Sequence, residues 1–292
     1  MNTEMAYLVG MVLGNGEIQS GRRSTTVTID IPYKNLRTDN NQDVAIYVQA
    51  SCMNIRNIIE PLIGHELVVT QENRATKMTF EKLNTDYVIR EIIRLTQRGT
   101  HHSTMRMDPE LFTITTDEKK FLMRGIADVT AYIRPSNVAY GQDGAHRVYI
   151  EIPGNWFMVA DIANMLRDID VPVQTIDFGH PNFRDGNLAK YNAGQPNFWK
   201  KEHQIKIYAN EFLPVGFNII HKQQALERFS AELLEFIDPV TTHLFYWEKR
   251  TRRVSKPPHP GENDPSLPGL IRGHHFESWT DLAQMLGYGP NE

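Results

Sequence analysis

Tyr7-Leu8-Val9-Gly10-Met11-Val12-Leu13-Gly14-Asn15-Gly16-Glu17-Ile18 and Phe121-Leu122-Met123-Arg124-Gly125-Ile126-Ala127-Asp128-Val129-Thr130-Ala131-Tyr132-Ile133 read as two versions of one pattern. Each is an apolar helical run with a glycine near its middle, followed by the start of a strand. Aligning Gly10 with Gly125 sets an offset of 115 residues (125 − 10). Repetition on that scale means two similar halves, and the ends of two paired helices would share one site. A glycine inside a helix costs about 1 kcal/mol against alanine, so two at matched places need a reason. Close approach of two backbones supplies it. Small faces made by Gly10 with Gly14, and by Gly125 with Ala127 or Val129, predict that the two helices pack on each other.

The flanking sequence repeats as well. Residues 4–14 are apolar on most faces, as a buried helix requires, and Gly14-Asn15-Gly16 ends it. Ser24–Ile31 is β-branched and alternating, a strand closed by Pro32. Helical spacing returns over 43–63, two short strands follow at 67–70 and 76–80, and 86–98 is an amphipathic helix stopped by Gly99. The polar stretch 100–118 reads as a linker. The series then restarts: helix 119–130, strands 132–133 and 147–152, helix 156–170, strands 173–178 and 204–209, and a last helix 226–237. The expected organisation is repeat one over 1–99, linker 100–118, repeat two over 119–237, and a C-terminal extension over 238–292.

Composition sets wider bounds. A chain of 292 residues with net charge −4 can bury a proper core and carries no overall basic signal for nucleic acid, which leaves local clustering to supply one. The single cysteine, Cys52, excludes an internal disulfide framework and any multi-cysteine zinc site, and its apolar flanks point to a buried thiol. No apolar run reaches the roughly 20 residues that span a bilayer, and Met1-Asn2-Thr3-Glu4 lacks the basic start of a secretion signal. The expectation is a cytoplasmic protein with no membrane partner. Gly14-Asn15-Gly16 is not a phosphate-cradling loop, because such a loop opens a helix after a strand and here the glycine closes one.

Both segments resemble the LAGLIDADG motif of homing endonucleases, maturases and related DNA-binding proteins, and the αββαββα order of each half is similar to that family's. Gly216–Leu226 is similar to its segment opening the last helix of a repeat. The resemblance covers most of residues 5–237. It implies an α+β fold in which tandem αββαββα repeats form a pseudo-two-fold saddle of antiparallel sheets over the DNA major groove, with the motif helices at the domain interface. It also implies a monomer with internal pseudo-symmetry.

In active members of that family an acidic residue near the end of each motif binds divalent metal beside the scissile phosphates, where metals activate water and stabilise the leaving oxygen. Five residues past each anchor glycine this chain has Asn15 and Thr130, neither a carboxylate. Glu17 and Asp128, each two residues away, are the nearby acids and become the candidate Mg2+ ligands, since magnesium prefers charged oxygen donors. The catalytic set is then Glu17, Asp128, Asn15, Thr130 and Lys222. The resemblance places Lys222 at the mouth of the site, against charge developing on phosphate, and gives Lys82 the comparable place in repeat one. Arg22, Arg23, Lys34, Arg74, Lys77, Arg134, Arg147, Lys200, Lys201 and Lys206 would fall on or around the saddle as phosphate contacts, while the polar face of 24–28 reads base edges.

Histidines 101, 102, 259, 274 and 275 complete no familiar ligand spacing, so no structural zinc is expected. In the extension, Lys249, Arg250, Arg252, Arg253 and Lys256 form a basic run suited to wrapping a DNA backbone, and Ser278-Trp279-Thr280-Asp281 opens a short helix. The sequence therefore predicts a sequence-specific double-stranded DNA endonuclease, homing-type or restriction-like, dependent on divalent metal. The alternative is a catalytically inactive DNA-binding regulator, or an RNA maturase holding structured RNA, on the same fold. A protein-interaction scaffold is the third class.

Overall fold

Asn2 opens the first helix by accepting Met5 N–H at 2.9 Å, and α1 then runs Thr3–Asn15 with every residue from Met5 to Gly14 buried. The computed structural model describes residues 1–32, 44–72, 75–134, 146–173, 175–177 and 202–233. A helix that is apolar all round must lie in the interior, and α1 lies between the two halves. After it come β1 (Gly16–Ser20), β2 (Ser24–Pro32), α2 (Val44–Ile63), β3 (Val68–Gln71), β4 (Ala75–Leu83) and α3 (Tyr87–Leu95). The second half repeats the order with α4 (Thr116–Thr130), β5 (Ala131–Arg134), β6 (Arg147–Pro153), α5 (Trp156–Asp168), β7 (Thr175–Asp177), β8 (Glu202–Tyr208), a short α6 (Ala209–Phe212) and α7 (Ile220–Leu233).

Two four-stranded antiparallel sheets result, ordered β1-β2-β4-β3 and β5-β6-β8-β7. Equal strand order in both halves is the tandem αββαββα architecture expected from the sequence. In β2 burial alternates strictly, with Val27, Ile29 and Ile31 facing the helices. β6 and β8 differ. Residues on both of their faces are buried, including Tyr149, Gln204 and Lys206.

The helix pair decides the architecture. A Cβ added to Gly10 would stand 2.0 Å from the Leu122 carbonyl oxygen, and one on Gly125 would stand 2.2 Å from that of Tyr7. The contacts are reciprocal at the offset of 115, since Tyr7 maps onto Leu122 as Gly10 maps onto Gly125. Gly14 in turn faces Ile126, Val129 and Thr130, so both helices advance together and pack in parallel.

Several boundaries depart from the sequence reading. α3 stops at Leu95 rather than at Gly99, because Thr96 turns its hydroxyl back on Ile92 O and Gln97 and Arg98 take positive φ. α7 begins six residues earlier than expected, at Ile220. The 100–118 segment is a packed strut with Met105, Met107 and Leu111 in the core. Its Thr100 O accepts Ile18 N–H of β1 at 2.7 Å, and its Arg106 grips Asp161 of α5 through two bonds of 2.8 and 3.0 Å. The extension 238–292, with its basic run and the short helix expected there, lies outside the described residues. Among the described residues no helix is long and apolar enough to cross a membrane.

Candidate helix-end site and nucleic-acid interface

At the end of α1, Asn15 donates its side-chain amide to Asp30 O of β2 at 2.7 Å. At the matching end of α4, the Thr130 hydroxyl donates to Ile126 O at 2.6 Å and the side chain is buried. Thr130 thus bonds back onto a carbonyl one turn earlier in its own helix. Glu17 is exposed on β1, where its side chain accepts from Gln19 at 3.0 Å. Its electrostatic neighbours are Asp30, Lys77 and His102.

Asp128 lies in different surroundings. It is fully buried and accepts the Tyr7 hydroxyl at 2.7 Å together with the backbone N–H groups of Asn218 and Ile219 at 3.2 to 3.3 Å. Those amides lead into α7, so Asp128 caps a helix 90 residues away in sequence. Gly216, at φ +66°, makes the left-handed turn that presents them. Ser51 of α2 accepts the next amide, Ile220 N–H, at 2.9 Å. The N-terminus of α7 is therefore capped jointly by both halves. Burial pushes the Asp128 pKa up, against the pull of Lys222, Tyr7 and the capping amides. The same burial, with Asp128 nearby, raises Tyr7.

Lys222 is 1% exposed, an interior residue rather than one at a mouth. Its ammonium donates to Asp128 O at 2.8 Å and Ala127 O at 3.4 Å, filling the carbonyl end of α4 where the helix dipole favours a cation. Burial brings its pKa down to about 7 although Asp128 pulls the other way. Lys82 in repeat one plays a similar part, donating to Ile63 O at the end of α2 and pairing with Asp86 at 2.7 Å.

A divalent cation shared by Glu17 and Asp128 does not fit this arrangement. Asp128 has both oxygens occupied by O–H and N–H donors and no access to solvent, while Glu17 faces out from a sheet. Among the described residues no group of three His, Cys, Asp or Glu side chains could hold a metal. The two carboxylates at matching strand positions, which the sequence reading missed, are Asp30 and Glu151: the registers Gly16↔Ile29 and Ala131↔Ile150 put each one residue further along its strand. Their signal lay in strand pairing, which no short motif carries. The rings of His101 and His102 lie 4.0 Å apart and tilted on the strut, with burial lowering the His102 pKa to about 4.

The expected phosphate contacts divide by half. Arg22 and Arg23 are exposed at the β1–β2 turn, and Lys77 on β4 is paired with Glu72 at 2.9 Å. On the second sheet Arg134 and Arg147 are directly opposite across β5 and β6, and Lys206 follows on β8 opposite Tyr149. Arg134 lies 4.5 Å over the Tyr149 ring and Arg147 lies 5.5 Å over Tyr208, while Tyr132 and Tyr149 stack at 5.1 Å. Arg147 and Lys206 are buried, and Arg134, Tyr132 and Tyr208 are half-buried along the edge of the layer. Lys34, Arg74, Lys200 and Lys201 lie outside the described residues.

Reciprocal glycines on parallel helices, flanked by two αββαββα halves, settle the architecture. The fold is LAGLIDADG-like. No family model matches the sequence, and no curated protein does. Among solved structures, mesophilic variants of the homing endonuclease I-DmoI are similar at 13% identity, covering 76% of this chain and 95% of that one with a TM-score of 0.39. I-DmoI in complex with DNA and Mn is similar at 11% identity, covering 76% and 96%, TM-score 0.39. Full-length DUF199/WhiA from Thermatoga maritima is similar at 14% identity, covering 86% and 64%, TM-score 0.42. The LAGLIDADG-like assignment rests on this chain's own strand order, register and helix packing.

Proposed function

We propose that this protein binds double-stranded DNA on a LAGLIDADG-like scaffold without cleaving it at the helix ends. One observation carries the reading. Of the five candidate groups where the motif helices end, all but the exposed Glu17 are already engaged in holding the fold together. Asn15 is bound to Asp30 O, Thr130 to Ile126 O, Asp128 to the α7 cap, and Lys222 to the α4 carbonyls. Phosphodiester hydrolysis by metals needs open coordination positions and a water in line, and a buried, triply bonded carboxylate offers neither.

Binding is supported by the second sheet. Like charges directly opposite across a sheet are unfavourable in isolation. Half-buried Arg134 is the cation there within reach of a phosphate backbone, and the buried Arg147 and Lys206 behind it add to a local positive field despite the acidic whole chain. The tyrosines beneath hold the guanidinium planes in place through cation–π contact. The repeats 1–99 and 119–237 act as one pseudo-dimeric unit in this reading, joined by 100–118.

Incubation of the full chain with a randomised duplex library and Mg2+, followed by sequencing of bound and cut fractions, tests it. The expected result is enrichment of a sequence in the bound fraction with intact strands. Defined ends in the cut fraction would restore the endonuclease, and no enrichment would remove DNA binding altogether.

A further inference from the structure

One face of α2 packs on the core through Val48, Ser51, Cys52, Ile55 and Ile59, all buried. The opposite face is open. Its Ile46 and Met53 are 65% and 64% exposed, the two highest values among the large apolar side chains of the described residues. They stand two turns apart on one stripe with half-buried Ala50 between them, and the exposed Gln49, Asn54 and Asn57 beside them carry no charge. A solvated helix face ordinarily carries charged residues. The only two in α2 are Arg56 and Glu60, which pair with each other at 2.7 Å, and Arg56 also holds Glu66 at 2.8 Å. Single exposed apolar residues are ordinary, but an uncharged apolar stripe about 10 Å long is a contact surface.

We propose that residues 278–286 of the C-terminal extension dock on this face as a helix, through Trp279, Leu282 and Leu286. Trp279, Leu282, Ala283 and Leu286 recur at i, i+3, i+4 and i+7, a stripe of the same two-turn length as Ile46 to Met53. Thr280, Asp281 and Gln284 fall on the other side of such a helix, Ser278 with Asp281 suits its start, and Gly287 its end. The path of the chain favours this occupant. α7 begins against α2, where Ser51 accepts Ile220 N–H and the Tyr47 and His221 rings lie 6.4 Å apart, and it ends at Leu233 about 20 Å further on. From there the 44 residues 234–277 (277 − 233) are more than long enough, at about 3.3 Å each, to return to α2. Such a tether holds the segment at a higher local concentration than a second copy of the chain reaches in solution. A phosphate backbone or an anionic membrane surface would need free cations, and α2 has none. Docking would leave the basic run 249–256 in a loop anchored at both ends rather than on a free arm.

The test uses the full chain and two readouts, oxidation of Met53 by peroxide mapped by mass spectrometry and amide hydrogen exchange over 282–286. In the unaltered protein Met53 should oxidise at least about fivefold more slowly than methionine in a short peptide, and the amides of 282–286 should be protected. Trp279→Ser with Leu286→Ser should bring Met53 to the peptide rate. Reciprocally, Ile46→Glu with Met53→Glu should abolish protection over 282–286. Both pairs should leave the amides of α1 and α4 protected, which shows that the body remains folded. Met53 oxidising at the peptide rate in the unaltered protein, or either pair leaving the opposite stripe protected, would overturn the proposal. Protection of Met53 that disappears on dilution, together with a dimer mass by light scattering, would assign the face to a second copy and overturn it as well.

Discussion

The two flanks of the central helix pair are built from the same pattern and filled with different chemistry. On one flank Tyr7 of α1 meets Asp128 of α4 in a buried hydrogen bond of 2.7 Å. The positions related to them by the offset of 115 are Leu122 and Leu13, both buried and both apolar. One flank is thus a polar junction that also caps α7 and gathers Lys222, while the other is plain core. The first half needs no equivalent of Asp128, because α3 is capped by its own Asp86, which accepts Val88 N–H at 2.9 Å. The scaffold is therefore symmetric where backbones touch and asymmetric where polar side chains join elements, and that asymmetry places Asp128 in structure rather than in chemistry.

The largest effects should come from the shared backbone contact. Gly10→Val and Gly125→Val each drive a side chain into a carbonyl that cannot move aside, and should cost about 3 kcal/mol or more in urea unfolding. Equal sensitivity at both positions would sharpen the symmetric part of the comparison. Tolerance at either would break it. Next is Asp128→Leu, which copies the apolar flank. It strands the Tyr7 hydroxyl and two amides and should cost about 2–4 kcal/mol by the same measurement. A cost under about 1 kcal/mol would mean that the polar flank is ornamental.

Smaller effects should appear in the pH dependence of stability. Lys222 titrates near 7 when folded against about 10.4 when free, so between those values the unfolded chain holds a proton that the folded chain has released. Stability from this group therefore rises with pH from about 7 towards 10, and Lys222→Met should flatten that rise in urea midpoints taken at about pH 7 and 9. Tyr7 acts oppositely above about pH 10, since its raised pKa keeps the folded chain protonated for longer. The smallest effect belongs to His102 on the strut, whose folded pKa of about 4 lies below its free value near 6.5. Its contribution is complete above that free value and is lost as the pH falls towards about 4. His102→Asn should reduce the acid sensitivity of the unfolding midpoint, and an unchanged profile would remove His102 from the pH dependence.

Sequence carried the backbone level of this structure well, because glycine inside a helix has few explanations and two glycines at one offset have fewer. The order of elements along the chain followed from β-branched alternation and from the restart at Lys119. Polar function was less legible. Asp128 looks the same in sequence whether it binds metal or caps α7, and only the fold brings Asn218 and Ile219 to it. Lys222 likewise reads as an entry residue of a helix until the end of α4 is seen resting on its ammonium. The strut at 100–118 misled through its polar surface residues, since three separated apolar side chains suffice to bury it. Facing charges on β5, β6 and β8 require a register, which sequence does not provide.

Single-turnover incubation of the full chain with its own selected duplex, in Mg2+ and then in Mn2+, tests the central claim most directly. Strands that remain intact while the complex is saturated are the predicted result. Metal-dependent breaks at a defined position, lost in Glu17→Gln, would contradict it and return the end of α1 to catalysis.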